Sequence, residues 1–321
     1  MSAHPSANDA RDRAGRMLAT ALGPDVRAWL AQDDVVEVML NPDGRLWIDR
    51  LGSGLADTGL VLGAAEGERI IRLVAHHVDG EAHARSPRVS AELPQAGERF
   101  EGLLPPVVSG PAFSIRKPAI RAVTLADYVA QGVMSAVQAE ALAGAVAWRR
   151  NILVAGATAS GKTTLANALL AELAGADERI VILEDTVELR CPAANTVALR
   201  SKDGVASLTE LLRSTLRLRP DRIVVGEVRG PEALDLVKAW GTGHPGGIAT
   251  VHAGTPLGAL RRLEQLIQEA AVAVPRELIA ETVEVIAVLT GRGDARRLSH
   301  LVAVEGLAAG DYRLIPLGDA S

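Results

Sequence analysis

Gly156, Gly161, Lys162 and Thr163 stand at the spacing G-x-x-x-x-G-K-[ST]. Two glycines let a backbone wrap closely around a phosphate, and the N–H groups of such a loop point inward at the start of a helix. The lysine reaches the β- and γ-phosphates, and the hydroxyl of Thr163 can ligate Mg²⁺. The pattern carries weight only between a strand and a helix. Here the apolar run Ile152-Leu153-Val154-Ala155 precedes it and the helix-like stretch 164–170 follows it. Thr158, Ala159, Ser160, Gly161, Lys162, Thr163 and Thr164 are therefore expected to bind the phosphates of a nucleoside triphosphate.

Hydrolysis needs more than a phosphate loop. Something must position a water, and something must neutralise charge developing on the γ-phosphate. Glu184 and Asp185 directly follow the apolar run Ile180-Val181-Ile182-Leu183, and Glu227 follows Arg222-Ile223-Val224-Val225-Gly226. Ligands of parallel α/β sheets sit at the carboxyl ends of strands, where both acidic sites and the loop fall. The bland reading of each acid is a helix cap or a surface charge, Glu188 more so than the others. Many phosphate-loop enzymes carry a Mg²⁺-binding Asp where this chain has Gly226, so Mg²⁺ would rest on Thr163, phosphate and water. Asp221 begins the strand, at the wrong end to replace it. His244 and His252 flank the segment Pro245 to Val251. His252 ends a strand candidate on the ligand side and is expected to contact the γ-phosphate. His244 stays open between a structural hydrogen bond and a ligand contact.

The elements that must hold these groups follow from hydrophobic periodicity. Residues 1–12 read as a disordered tail. Residues 13–31 read as two short helices broken at Gly23-Pro24, and 35–40 with 45–48 as a hairpin around Asn41-Pro42-Asp43-Gly44. A helix over 64–78, a second hairpin over 88–93 and 98–104 turning at 94–97, and a strand over 112–117 complete an N-terminal α+β domain, residues 13–120. Helices are expected over 124–132 and 135–150. Strands over 179–183, 196–199, 222–225 and 247–251 then alternate with helices over 208–218 and 231–240. Such alternation implies a mostly parallel sheet with helices on both faces. A helix over 257–271, a strand over 282–289 and a hairpin over 298–317 complete the second domain, 121–321, with the boundary near 118–124.

Bulk composition narrows the classes. The 321 residues carry a net charge of −5, are 48% hydrophobic and only 2% aromatic, so the cores must be aliphatic and non-specific nucleic-acid binding is disfavoured. The four tryptophans are expected in cores or interfaces. A single cysteine, Cys191, excludes a disulfide framework and a Cys-rich zinc site. No uncharged apolar run reaches the roughly 18 residues of a transmembrane helix, and the first 16 residues lack the apolar stretch of a secretory signal. A soluble cytoplasmic protein is expected.

The motifs together carry a resemblance. Residues 182–189 (ILEDTVEL) resemble the Asp box of the secretion and conjugation traffic ATPases, 219–230 (RPDRIVVGEVRG) their Walker B motif, and 241–253 (GTGHPGGIATVHA) their His box. The first domain, with Arg88 to Pro94 and Gly97 to Phe100, is similar to that of TrbB-type conjugal-transfer ATPases. The likeness spans roughly residues 25–315. It implies a RecA-like C-terminal ATPase domain and a homohexameric ring at the cytoplasmic face of the inner membrane. ATP and Mg²⁺ would be the cofactors, and hydrolysis would be coupled to transfer or pilus machinery. It also implies that arginines of the first domain approach the nucleotide, at the matching positions Arg99 and Arg116, and less closely Arg88. Glu227 is then the first choice to order water and Glu184 its rival, with His252 sensing the γ-phosphate. A type IV pilus or type II secretion motor is the alternative within the class. A nucleotide-gated scaffold without turnover and a nucleic-acid motor are the alternatives outside it.

Overall fold

The computed structural model describes residues 7–94, 97–117, 123–202, 204–271 and 273–318. Residues 1–6 of the expected tail, positions 95 and 96 of the second turn, and positions 118–122 of the expected boundary lie outside the described residues. The chain divides into two compact units, residues 1–120 and 121–321.

The first unit holds helix α1 (Ala7–Leu30), strands β1 (Val35–Leu40), β2 (Arg45–Arg50) and β3 (Gly54–Val61), helix α2 (Ala64–His77), and strands β4 (Arg88–Glu92), β5 (Arg99–Leu103) and β6 (Ala112–Arg116). The helix at α1 begins at Ala7, inside the stretch expected as tail, and is kinked at Gly23, whose φ of 75° leaves helical space just before Pro24. The six strands form one antiparallel sheet in the order β3-β2-β1-β6-β5-β4. Helix α2 buries Gly67, Ile70, Ile71, Val74 and Ala75. That spacing is one helical face, and it joins Leu18, Val26, Val38, Phe100 and Ile115 in a single core. Strand β3 is an addition to the sequence expectation. It is an edge strand exposed along most of its length, so it carries no apolar alternation to read.

The second unit runs α3 (Leu125–Ala130), α4 (Ala136–Ala147), β7 (Ile152–Gly156), α5 (Lys162–Ala171), β8 (Ile180–Glu184), β9 (Thr196–Arg200), α6 (Leu208–Thr215), β10 (Arg222–Val225), α7 (Glu232–Gly241), β11 (Ile248–Val251), α8 (Pro256–Gln268), α9 (Arg276–Thr282), β12 (Val285–Thr290), β13 (Arg297–Ala308) and β14 (Asp311–Pro316). Its eight-stranded sheet has the order β14-β13-β12-β7-β11-β10-β8-β9, with β12 through β9 mutually parallel and the last hairpin antiparallel. Helix α9 replaces the start of the strand expected at 282. Thr282 ends that helix and its carbonyl accepts the side-chain amide of Asn151.

Strands β7, β8, β10 and β11 are buried along their whole length. Alternate residues feed two different cores. Leu153, Val181, Leu183, Ile223, Val225 and Val251 pack with α6, α7, α8 and α9, while Ile152, Val154, Ile180, Ile182 and Val224 pack with α3, α4 and α5. Each large aliphatic side chain removed from water on such a strand is worth about 1.5–3 kcal/mol, which fixes strand register tightly. Because the strands are parallel, their carboxyl ends lie along one edge of the sheet. Trp240 is buried and its indole N–H donates to the Ile223 carbonyl at 3.1 Å. Trp148 departs from the expected packing and is 82% exposed.

Candidate active site

Strand β7 ends at Gly156, and the chain turns through Ala159 (φ 63°) and Gly161 (φ 96°) into α5. Four other helices of this unit are capped by a side chain. Thr124, Ser135, Ser207 and Thr255 each accept the amide three residues on. A cap of this kind stabilises a helix by about 1 kcal/mol. The cap of α5 is Gly161, which has no side chain to offer, so the first amides of α5 keep their donors for an anion. Lys162 is 8% exposed, and its Nζ donates to the Ala157 carbonyl at 3.2 Å, which ties the lysine across the loop. Thr158 and Ala159 are exposed, Ser160 is buried, and Thr163 and Thr164 are half-buried at the first turn of α5.

The neighbour of β7 in the sheet is β11, registered so that Val251 lies opposite Ala155. The next residue, His252, is thereby delivered to the loop. Its Nδ1 lies 3.4 Å from Lys162 Nζ and its Nε2 lies 2.5 Å from Glu227 Oε1. An ammonium can only donate, so Nδ1 is the acceptor and Nε2 carries the hydrogen; Nε2 lies against Glu227 Oε1 without the alignment of a hydrogen bond, and that buried oxygen has no hydrogen-bond partner among the described residues. Burial, and then the Lys162 charge, hold His252 below its ordinary value of 6.5 against the opposing pull of Glu227. The ring is therefore neutral at pH 7. On its other side, Glu227 Oε2 accepts Arg229 Nε at 2.7 Å and also bonds Arg229 Nη2. The result is one chain of polar groups, Lys162–His252–Glu227–Arg229, across the carboxyl ends of β7, β11 and β10. Sequence reasoning misses Arg229; only its place two residues after Glu227 hints at it.

Glu184 occupies the same edge in a different role. It is 4% exposed, and its Oε1 accepts the amides of Glu188 and Leu189, both at 2.8 Å. Asn167 on α5 holds the same loop, accepting from the Arg190 amide at 2.8 Å and donating to the Glu188 carbonyl at 3.0 Å. The Asp box thus folds around Glu184 and is pinned to the phosphate-loop helix. Gly226 is explained by the same carboxylate. A Cβ at position 226 would lie 2.9 Å from Glu184 Cγ, so the place of an Asp side chain is already filled. Asp185 turns aside to Ser201 Oγ. Asp221 accepts the Arg179 amide at the far end of the strand. His244 Nδ1 lies 3.1 Å from the Ala239 carbonyl at the end of α7, which is a structural position. Among the described residues no group of three His, Cys, Asp or Glu side chains converges as a metal site. The oxygen donor of Thr163 beside the phosphate loop fits Mg²⁺ held chiefly by phosphate and water. Such an ion supplies charge neutralisation to the transferring phosphoryl group.

In the first unit, Arg99 and Arg116 are directly opposite each other on β5 and β6. Glu92 lies opposite Arg99 on β4 and Glu37 opposite Arg116 on β1. The two arginines share one face within a row Glu92–Arg99–Arg116–Glu37. Arg88 pairs with Leu103, four residues along β4 from that row.

A doubly flanked parallel sheet with a glycine-capped lysine loop, facing a histidine and an acid on neighbouring strands, defines a RecA-like P-loop nucleotide-binding protein. Residues 82–295 match the family described as Type II/IV secretion system protein. The conjugal transfer protein TrbB of Rhizobium radiobacter is 50% identical over 300 residues, covering 93% of this chain and 92% of that protein. The type IV secretion system protein VirB11 of Bartonella henselae is 33% identical over 298 residues, covering 80% and 83%. The solved structure of the pilus retraction motor PilT with bound ADP shares the fold, with a TM-score of 0.61 at 17% identity, over 92% of this chain and 83% of that one. The chain belongs to the type II/IV secretion system protein family, and it is an ATP-hydrolysing enzyme of the type IV secretion and conjugation class. Among the described residues no helix is long and apolar enough to cross a membrane.

Proposed function

We propose that this chain is a homohexameric motor that hydrolyses ATP with Mg²⁺ at the Lys162 loop and drives conjugative transfer from the cytoplasmic face of the inner membrane. The half-identical relative named as a conjugal transfer protein supports the conjugative role. The observation that carries the chemistry is the chain Lys162–His252–Glu227–Arg229. Thr158, Ala159, Ser160, Gly161, Lys162, Thr163 and Thr164 bind the phosphates, and Thr163 ligates Mg²⁺. Glu227 orders the attacking water, because it lies beside the loop with Oε2 held by Arg229 and Oε1 carrying no hydrogen bond among the described residues. Glu184 is the weaker choice, since one of its oxygens already holds two loop amides. His252 reports the γ-phosphate to Glu227. Arg99 and Arg116, in the N-terminal domain of residues 13–120, act on the γ-phosphate during turnover, and residues 121–321 form the ATPase domain. Direct nucleic-acid binding is disfavoured by the net charge of −5.

The test is phosphate release and nucleotide binding in K162A and E227Q. K162A is expected to lose both binding and turnover. E227Q is expected to bind ATP with near-normal affinity while turnover falls at least about 100-fold, the scale of a lost water-positioning group. Full activity in E227Q would move the role to Glu184. Full activity in K162A would overturn the assignment of the site. Sedimentation showing only monomer with ATP and Mg²⁺ present would remove the hexamer.

A further inference from the structure

The segment between β12 and β13 carries two arginines, Arg292 and Arg296, with Arg297 at the start of β13, and one of them is aimed at the phosphate loop. A Cβ on Gly161 would lie 2.9 Å from Arg296 Nε and 3.0 Å from its Cζ. The guanidinium therefore rests on the glycine that precedes Lys162. The placement is built by the backbone. The Ala295 and Arg296 amides close a short turn on the Arg292 and Gly293 carbonyls at 3.0 and 3.2 Å, and the Leu298 amide bonds the Val133 carbonyl at 2.8 Å. Arg297 turns back on its own loop, donating to the carbonyls of Asp294 and Arg296.

Arg296 gains no hydrogen bond at Nε in this position. That atom is buried and has no partner among the described residues, and neither has the nearby Ser160 Oγ of the loop. Behind it, Tyr128 is 1% exposed, its hydroxyl is also unpartnered, and burial pushes its pKa up to about 12 while the Arg296 charge works in the opposite direction. Around Arg296 are thus a neutral phenol and the glycine cap at the positive end of α5. Burying an unpaired donor of a cation at the positive end of a helix is costly. An anion on the loop would give the unpaired donor a partner and turn the helix end from a cost into a gain.

We infer that Arg296 is a further nucleotide-binding residue, which contacts the α- or β-phosphate of ATP and equally of ADP from the side of β12. This inference rests on the phosphate-site reading above and extends it to the product. The γ-phosphate side of the loop belongs to His252 and Glu227, at the ends of β11 and β10. Arg296 approaches from the opposite neighbour of β7, so its contact survives hydrolysis. It makes Arg296 a determinant of how tightly ADP is retained between turnovers.

The experiment is calorimetric titration of the full chain with ADP, with a slowly hydrolysed ATP analogue and with adenosine, for wild type, K162A, R296M and R296K. R296M keeps most of the aliphatic stem, and its unfolding midpoint without nucleotide should match or exceed that of wild type. ADP and ATP-analogue affinities are expected to fall by a similar factor in R296M, at least about tenfold, as for a lost hydrogen bond to a charged group. R296K should recover part of that loss, and adenosine affinity should be unchanged. Wild-type ADP affinity in R296M, or a loss confined to the ATP analogue, would overturn the inference. So would an R296M whose midpoint drops while R296K restores midpoint and affinity together, because that is a structural arginine. Failure of K162A to weaken ADP binding would instead overturn the site reading itself, and this inference with it.

Discussion

His252 Nε2 lies 2.5 Å from Glu227 Oε1 while its Nδ1 lies 3.4 Å from Lys162 Nζ, and the ring links the two only while it is neutral. Nδ1 must stay unprotonated to accept from Lys162. The folded-state pKa of His252 lies below 6.5, so between the two values the folded chain binds fewer protons than the unfolded one. Its contribution to stability is full above 6.5 and is lost as pH falls through the folded value. Activity should follow the same direction. The kcat profile is expected to be flat above neutrality and to fall on the acid side of 6.5, as a protonated His252 repels Lys162. H252N should be slower by at least about tenfold and should lack that acid limb. An acid limb unchanged in H252N would assign it to another group.

Arg229 holds the other oxygen of Glu227 through Nε and Nη2. Charge-assisted bonds of this kind are worth about 1.5–3 kcal/mol, and Arg229 is partly exposed, so its contribution falls toward the lower end. R229A is expected to reduce kcat by about tenfold with a smaller change in KM. R229K should recover little, because a lysine does not reproduce the two-nitrogen contact. Steady-state phosphate release at saturating ATP measures both parameters. An unchanged kcat would make Arg229 a surface partner without effect on Glu227.

Gly226 is a glycine because Glu184 fills the space above it. G226A places a Cβ 2.9 Å from Glu184 Cγ and should push that carboxylate off the Glu188 and Leu189 amides. Overpacking at a buried strand end costs about 1–3 kcal/mol, so a lowered unfolding midpoint is expected along with reduced activity. G226D should be no better, although it restores the residue that many phosphate-loop enzymes have there. Thermal unfolding and ATPase rates of the two variants decide it. A wild-type midpoint in G226A would mean that Glu184 has room to move.

Arg99 and Arg116 oppose each other on β5 and β6, and like charges directly across a sheet are unfavourable. Glu92 and Glu37 on the flanking strands offset part of that cost. R99A and R116A are each expected to lower kcat by at least about tenfold with far less change in ATP affinity, the pattern of groups acting on the transition state. Neither should lower the unfolding midpoint appreciably. If both variants turn over ATP at the wild-type rate, these arginines serve the sheet alone.

Much of this protein is legible in its amino-acid sequence alone. The phosphate loop is contiguous, so spacing reveals Gly161, Lys162 and Thr163. Buried parallel strands read as unbroken apolar runs, which places Glu184, Glu227 and His252 at the carboxyl ends of β8, β10 and β11. Exposed or short elements escape this logic. Strand β3 has no apolar alternation, and α9 is too short for a helical period to stand out from the β-branched residues that follow it.

What only the tertiary structure decides is which of those strand ends are neighbours. Periodicity reports local burial, but strand order is set by how the two helical layers pack on the sheet. The order β12-β7-β11-β10-β8 puts His252 between Lys162 and Glu227 and leaves Glu184 against Gly226. It also brings Arg296 onto Gly161 across 135 positions of sequence, from a loop whose residues carry no pattern of their own. The chemistry-bearing residue types are local information, whereas their pairing is a property of the packed sheet.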